Sequence, residues 1–260
     1  MTETMELLFL GTGTSLGVPM IGCDCPVCLS PDPRNRRRRS SLYVTAGTTR
    51  LLIDTPPDFR DQALTFGLRR VDAVLFTHAH ADHILGLDDI RRFNTLQNAS
   101  IPAYTVPEIL DEVRRVFAYI GRPVQPGLYR PKIEFRPVET TFQVGEIAVT
   151  PLDVSHGDAR TVGYLLEWRG RRVGYFPDCH HMPAATLQAL RGVQVMILDT
   201  LRYRPHPTHL CVAESVELLQ AIAAPHAYVV HLCHDLEHAR LETELPPGIG
   251  VGYDGLVVRV

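Results

Sequence analysis

Lysine is almost missing from this chain: Lys132 stands alone among 260 residues, and the other 25 basic residues are arginine. We read this as a compositional bias rather than a functional feature. No apolar run approaches the roughly 18 residues a membrane helix needs, so a helical membrane span is not expected. The opening "MTETMELLFLGTG" carries two glutamates and no basic region, and it reads as a first β-strand rather than a signal peptide. The expected compartment is therefore cytoplasmic, where structural disulfides are rare. The six cysteines are accordingly expected to be thiols or metal ligands. Internal repeats and low-complexity linkers are also absent. A net charge of −3 argues against general nucleic-acid affinity and against a membrane surface as partner. The densest basic run, "RNRRRR" at residues 34–39, is expected to be a solvated loop leading into a strand, with attraction of an anionic substrate as the alternative.

What is present is a chain that is 45% hydrophobic and long enough for a large core. Short β-rich runs, "ELLFLG", "SLYVT", "RLLID" and "DAVLFT", fill the first third. "PDFRDQALTFG" has proline near its start and glycine at its end, the helix asymmetry. "GLDDIRRFNTLQ" and "VPEILDEVRRVFAYIG" read as amphipathic helices. The second half repeats the order: "EIAVTPLDV" is a strand, and "TVGYLLEWRGRRVGYFPD" is a hairpin turning at Arg169-Gly170. Strands and helices then alternate to the end, where a closing hairpin is expected around Asp254-Gly255. This order predicts an α/β (α+β) fold of two mixed sheets packed face to face with helices outside: a four-layered αββα sandwich, one domain over residues 1–260. Residues 92–140 carry no legible motif.

The strongest chemical signal is "LFTHAHADHILG", residues 75–86. His78, His80, Asp82 and His83 follow a strand, separated by the small residues Ala79 and Ala81. Imidazole and carboxylate together suit Zn²⁺, Mn²⁺ or Fe²⁺. One ion rarely takes all four donors from so tight a turn, so two ions are expected, each with ligands from elsewhere. His156, Asp178 and His231 each follow an apolar run in the second half, where strand ends gather functional side chains.

This order, "THAHADH" and then His156, Asp178 and His231, resembles the metallo-β-lactamase superfamily across nearly the whole chain. The resemblance implies an αββα sandwich. It implies that His78, His80 and His156 hold one metal, that Asp82, His83 and His231 hold the other, and that Asp178 bridges them. Asp54, in "LLIDTPPD", matches an early aspartate that buttresses the ligand turn; a helix N-cap is its other reading. The superfamily hosts several chemistries, so the fold alone does not choose among them. "RPHPTHLCVAESVELL" sets His209 at the head of a helix, as in ribonuclease Z-like phosphodiesterases, where a histidine protonates the leaving group. An ordinary imidazole near pKa 6.5 supplies that proton at neutral pH. His206 is a competing candidate. A tRNA 3′-processing nuclease usually carries a basic, glycine-rich arm that is not seen here. A glyoxalase II-type thioesterase remains an alternative that has no need of His209.

"MIGCDCPVC" gathers Cys23, Cys25 and Cys28. This C-x-C-x₂-C spacing favours a tetrahedral Zn²⁺ lacking its fourth ligand, and "HLCHD" offers Cys233 or His234. The combination, with "GTGTSLGVPMIGCDCPVC", resembles the PhnP-type cyclic phosphodiesterases, in which Cys23, Cys25, Cys28 and His234 match a structural zinc site. The resemblance implies hydrolysis of a small, cyclic phosphodiester such as phosphoribosyl 1,2-cyclic phosphate or a cyclic nucleotide. Two divalent ions (Mn²⁺ or Zn²⁺) would hold the attacking hydroxide between them. His209 and Asp82 would be catalytic; assembly is left open, although a homodimer is common in related folds. Cys179, beside Asp178, reads as a buried thiol.

Overall fold

A computed structural model describes residues 4–122 and 129–260. The first three residues of the opening strand motif, and residues 123–128 within the motif-poor stretch 92–140, lie outside the described residues. Strands β1 (Met5–Gly11), β2 (Ser41–Ala46), β3 (Thr49–Ile53), β4 (Ala73–Leu75), β5 (Ile101–Thr105) and β6 (Ile133–Pro137) form one sheet. Strands β7 (Phe142–Val144), β8 (Ile147–His156), β9 (Ala159–Trp168), β10 (Arg171–Phe176), β11 (Val195–Asp199), β12 (His226–Val230) and β13 (Ile249–Val251) form the second. The last strand, β14 (Val257–Arg259), returns to the first sheet and pairs with β1. Each sheet begins antiparallel and becomes parallel: β3 to β6 in one, β10 to β13 in the other.

The parallel strands are apolar throughout because they are covered on both faces. In β11 every residue is buried: Val195 and Ile197 join the core between the sheets, and Met196 and Leu198 join the outer core. Helices α1 (Phe59–Thr65), α3 (Ile90–Gln97) and α4 (Pro107–Val116) add buried residues to the core of the first sheet. Between α1 and α3 runs the short α2 (Ala81–Ile84). On the second sheet, α5 (Ala184–Ala189) packs on β8, α6 (Val212–Ile222) on β11 and α7 (His238–Glu244) on β13. This is the four-layered αββα sandwich that the strand order predicts.

Two readings of the sequence require correction. Asp254-Gly255 does not turn a hairpin, since β13 and β14 belong to different sheets. The turn is a crossover, fastened where the Asp254 carboxylate accepts the Thr12 hydroxyl (2.9 Å) and the Arg38 amide (2.7 Å). Nor is the arginine run a solvated loop. Arg37 is 2% exposed and donates to the Thr12 hydroxyl and the Gly252 carbonyl. Arg39 pairs with Asp58, Arg38 with Asp61, and Arg34 with Asp32. Carboxylates of the fold thus meet Arg34, Arg38 and Arg39, while Arg36 is exposed.

Candidate functional site

Register sets the site. Ile53 of β3 lies beside Leu75 of β4, so Asp54 and the His78 turn leave the first sheet together. Asp199 of β11 lies beside Val230 of β12, so Asp199 and His231 end the second sheet at one level. The Tyr164 hydroxyl donates to the Phe76 carbonyl (2.7 Å) and the Val162 amide to the Thr77 carbonyl (2.9 Å), which brings the two groups of strand ends face to face. Gly86 closes the first sheet's share. Its amide reaches the Thr55 carbonyl at 2.8 Å, and a Cβ there would lie 2.1 Å from the Pro56 carbonyl. Any larger residue would push the Asp54 loop from the histidine turn.

The histidine and aspartate donors predicted from sequence converge here. His78 Nε2 and His156 Nε2 approach His80 Nδ1 at 2.9 and 3.3 Å. His83 Nε2 lies 3.3 Å from Asp82 and 3.0 Å from Asp178 Oδ2. His231 Nε2 lies 3.3 Å from Asp178 Oδ1 and 3.9 Å from Asp82. One oxygen of Asp178 therefore faces His83 and the other faces His231. His78, His80 and His156 can hold one ion, and Asp82, His83 and His231 another, with Asp178 between the two sets.

The donors fit such ions. His83 Nε2, Asp178 Oδ2 and His231 Nε2 are buried without a hydrogen-bond partner, despite their short separations. A buried polar group left unsatisfied costs about 1–3 kcal/mol, and three at one point call for a cation. Burial opposes charge on His83, yet Asp178, Asp82 and Asp54 together carry its pKa well above the usual imidazole value. Burial likewise pushes Asp178 up, but His231, His83 and His78 outweigh it and hold the carboxyl well below its ordinary range.

A second ring of contacts sets the imidazole tautomers. Asp54, in the left-handed region at φ 62°, accepts from His83 Nδ1 (2.8 Å), the Thr77 hydroxyl (2.8 Å) and the Thr77 amide (2.9 Å). It caps no helix; it holds the ligand turn. His156 Nδ1 donates to the Thr208 carbonyl at 2.8 Å. Asp199 is the residue that sequence reasoning missed. Its Oδ2 accepts His209 Nδ1 at 2.8 Å, and its Oδ1 lies 3.8 Å from His231 Nδ1. The signal was an aspartate ending a buried apolar strand, "VMILD", as Asp178 follows another.

His209 joins the cluster, its ring 4.7 Å from that of His231 and 4.5 Å from that of His156. Its Nε2 makes no hydrogen bond to a described residue. Burial, then His231, lowers its pKa to about 3, so it is not the ordinary imidazole expected from sequence. Burial raises the Asp199 carboxyl. His206 lies farther out, its ring 5.1 Å from that of His209.

The cysteine cluster lies elsewhere. His234 Nδ1 is 3.2, 3.5 and 3.8 Å from the sulfurs of Cys23, Cys25 and Cys28. With Zn–S near 2.3 Å and Zn–N near 2.0–2.1 Å, a tetrahedron has edges of roughly 3.5 Å, so the four donors can hold one Zn²⁺. Cys233 is not part of this set; its sulfur accepts the Asp235 amide at 3.4 Å. The Cys28 amide, against burial, lowers Cys25 to about 6, which favours the thiolate a metal needs.

The family described as "Beta-lactamase superfamily domain" matches residues 49–232, and the chain belongs to it. With this fold and site, the protein is a metal-dependent hydrolase. It is similar to a crystal structure described as a new diphosphatase from the PhnP family, at 38% identity and a TM-score of 0.91, covering 100% of this chain and 98% of that one. An octanoyltransferase of Porphyromonas gingivalis is 37% identical over 260 residues, 97% of this chain; the chain spans about half (51%) of that relative's length. Coenzyme PQQ synthesis protein B of Methylobacterium radiotolerans is 30% identical over 224 residues, 75% of this chain and 72% of that protein.

Proposed function

We propose that the protein is a dinuclear-metal phosphodiesterase acting on a small, cyclic phosphodiester in the cytoplasm, as one domain over residues 1–260. In this reading His78, His80 and His156 would hold one ion and Asp82, His83 and His231 the other, with Asp178 shared between them. Cys23, Cys25, Cys28 and His234 hold a structural zinc. The observation that carries the reading is the buried pair of His209 and Asp199 beside the donor cluster. When bound, two divalent ions polarise phosphate oxygens and acidify water. The chain's own residues do the rest. Asp199 keeps Nδ1 of His209 engaged, so Nε2 is left for the leaving oxygen. As negative charge develops there, a proton on Nε2 passes to the departing alkoxide, leaving the imidazole held by Asp199 at Nδ1. Thioester hydrolysis has no need of this pair, because a thiolate leaves readily.

A phosphoanhydride is the second reading, favoured by the likeness to the PhnP-family diphosphatase. Acyl transfer, named for the longer Porphyromonas relative, gains little support. Cys179, the thiol beside Asp178, is fully buried and its pKa is pushed up by that burial and then by Asp199 and Asp178.

One comparison tests the reading. Metal-loaded protein is assayed on bis-p-nitrophenyl phosphate, 2′,3′-cyclic nucleotides, a dinucleoside diphosphate and a glutathione thioester. Cyclic or diester phosphate turnover is expected to lead. Preferred thioester turnover would reject the proposal, and preferred diphosphate turnover would select the second reading.

A further inference from the structure

Between α1 and α3, on the outer helical layer, lies a trough of about 210 Å³ that shares no residue with either donor cluster. Its floor is Phe59, Ala63, Leu68 and Phe93, with the rings of Phe59 and Phe93 5.9 Å apart. Its two lips are apolar and in water: Leu64 is 64% exposed and Leu96 44% exposed. Three exposed arginines, Arg60, Arg69 and Arg92, line it.

These arginines differ from four of the five in the run at residues 34–39. Those at 34, 37, 38 and 39 bond to carboxylates, carbonyls or hydroxyls of the fold. The side chains of Arg60, Arg69 and Arg92 make no hydrogen bond or ion pair with the described residues. Asp89 is the one carboxylate of the lining, so the rim is net positive on a chain of net negative charge.

We propose that this trough is a docking site for an acidic amphipathic helix of a partner protein. Apolar side chains at i, i+3 or i+4, and i+7 fill a groove between two helices, while flanking glutamates or aspartates meet the arginine rim. The concave shape favours this occupant over a lipid surface. A membrane receives protruding apolar side chains, whereas here the apolar floor is recessed and accepts a ridge.

The probe is a fluorescein-labelled helical peptide with leucines at that spacing and glutamates elsewhere. Its control carries lysine at every glutamate position. Fluorescence anisotropy on the full, metal-loaded chain is expected to register the acidic peptide, more weakly as salt rises, and not the lysine peptide. Arg60→Glu with Arg92→Glu, and separately Leu64→Asn with Leu96→Asn, are expected to weaken binding by about tenfold or more, the loss from removing interfacial anchors. Melting temperatures of both double variants check folding independently. The proposal is overturned by failure of the acidic peptide to bind, by equal binding of both peptides, or by variants that bind as the parent does. Variant-sensitive pelleting with phosphatidylserine vesicles would assign the trough to a membrane. Sedimentation showing a dimer that these variants dissociate would assign it to a second copy.

Discussion

Two donor clusters in one chain are built in opposite ways. The histidine–aspartate cluster takes its members from the ends of β4, β8, β10 and β12, and most of them are buried. The cysteine cluster takes three members from one loop and the fourth, His234, from far along the chain, and Cys23, Cys25 and His234 are only half-buried. The first is organised by sheet register and by carboxylates such as Asp54 and Asp199. The second has no strand beneath its cysteines, only a small apolar patch of Val18, Val27 and Cys28. A scaffold-borne site is expected to keep its shape without ions. A loop-borne site is expected to need its ion, because that ion replaces the missing core.

The largest effect to set against this contrast is Asp178→Ala. We expect activity near background and loss of metal from the active site, with little change in circular dichroism. Full metal content by elemental analysis would reject the bridging role. Next comes His209→Ala, expected to lower kcat by about 10²–10⁴ with metal content intact. Unchanged turnover of a substrate with a poor leaving group would remove His209 from the mechanism. Asp199→Asn keeps the shape but loses the carboxylate, and we expect roughly a 10–100-fold loss, mostly in kcat. If His209→Ala is already present, Asp199→Asn should add little, since both act on one proton.

On the loop side, Cys25→Ser is expected to remove one zinc per chain and lower Tm, by about 2–4 °C for each kcal/mol lost at this chain size. It should spare the chemistry of the remaining metal-loaded protein. A variant with unchanged zinc and Tm would contradict the structural site. The smallest effect concerns Asp254, which ties Arg38, just after that loop, to the final crossover. Burial, against its hydrogen bonds, raises its pKa to about 6. The folded state therefore binds this proton more tightly than the unfolded state. Its contribution is complete below the unfolded carboxyl value near 3.9 and is lost as pH rises through about 6, at up to ~1.4 kcal/mol per unit. Asp254→Asn should flatten that component in urea titrations at pH 4 and pH 6.5; an identical pH slope would exclude it.

The legible parts share a physical basis. Donors packed into six consecutive positions, as at 78–83, need no fold to be noticed, and alternating strands and helices declare a layered sandwich through their periods. Asp199 was not legible, because one aspartate after an apolar strand carries no sign of its partner ten residues on. The low pKa of His209 was not legible either, since burial is a property of the assembled core. Arg37 shows the same limit: in a run of five arginines, nothing local says which one is buried.

The sequence by itself thus determined the fold class, the candidate donors and the cysteine triad, because each rests on local spacing or residue chemistry. Tertiary structure alone decided that Asp178 turns one oxygen to His83 and the other to His231, that Asp199 backs His209, and that β13 and β14 part to different sheets. Those outcomes depend on register between distant strands and on the loss of water at their ends, which no stretch of chain contains.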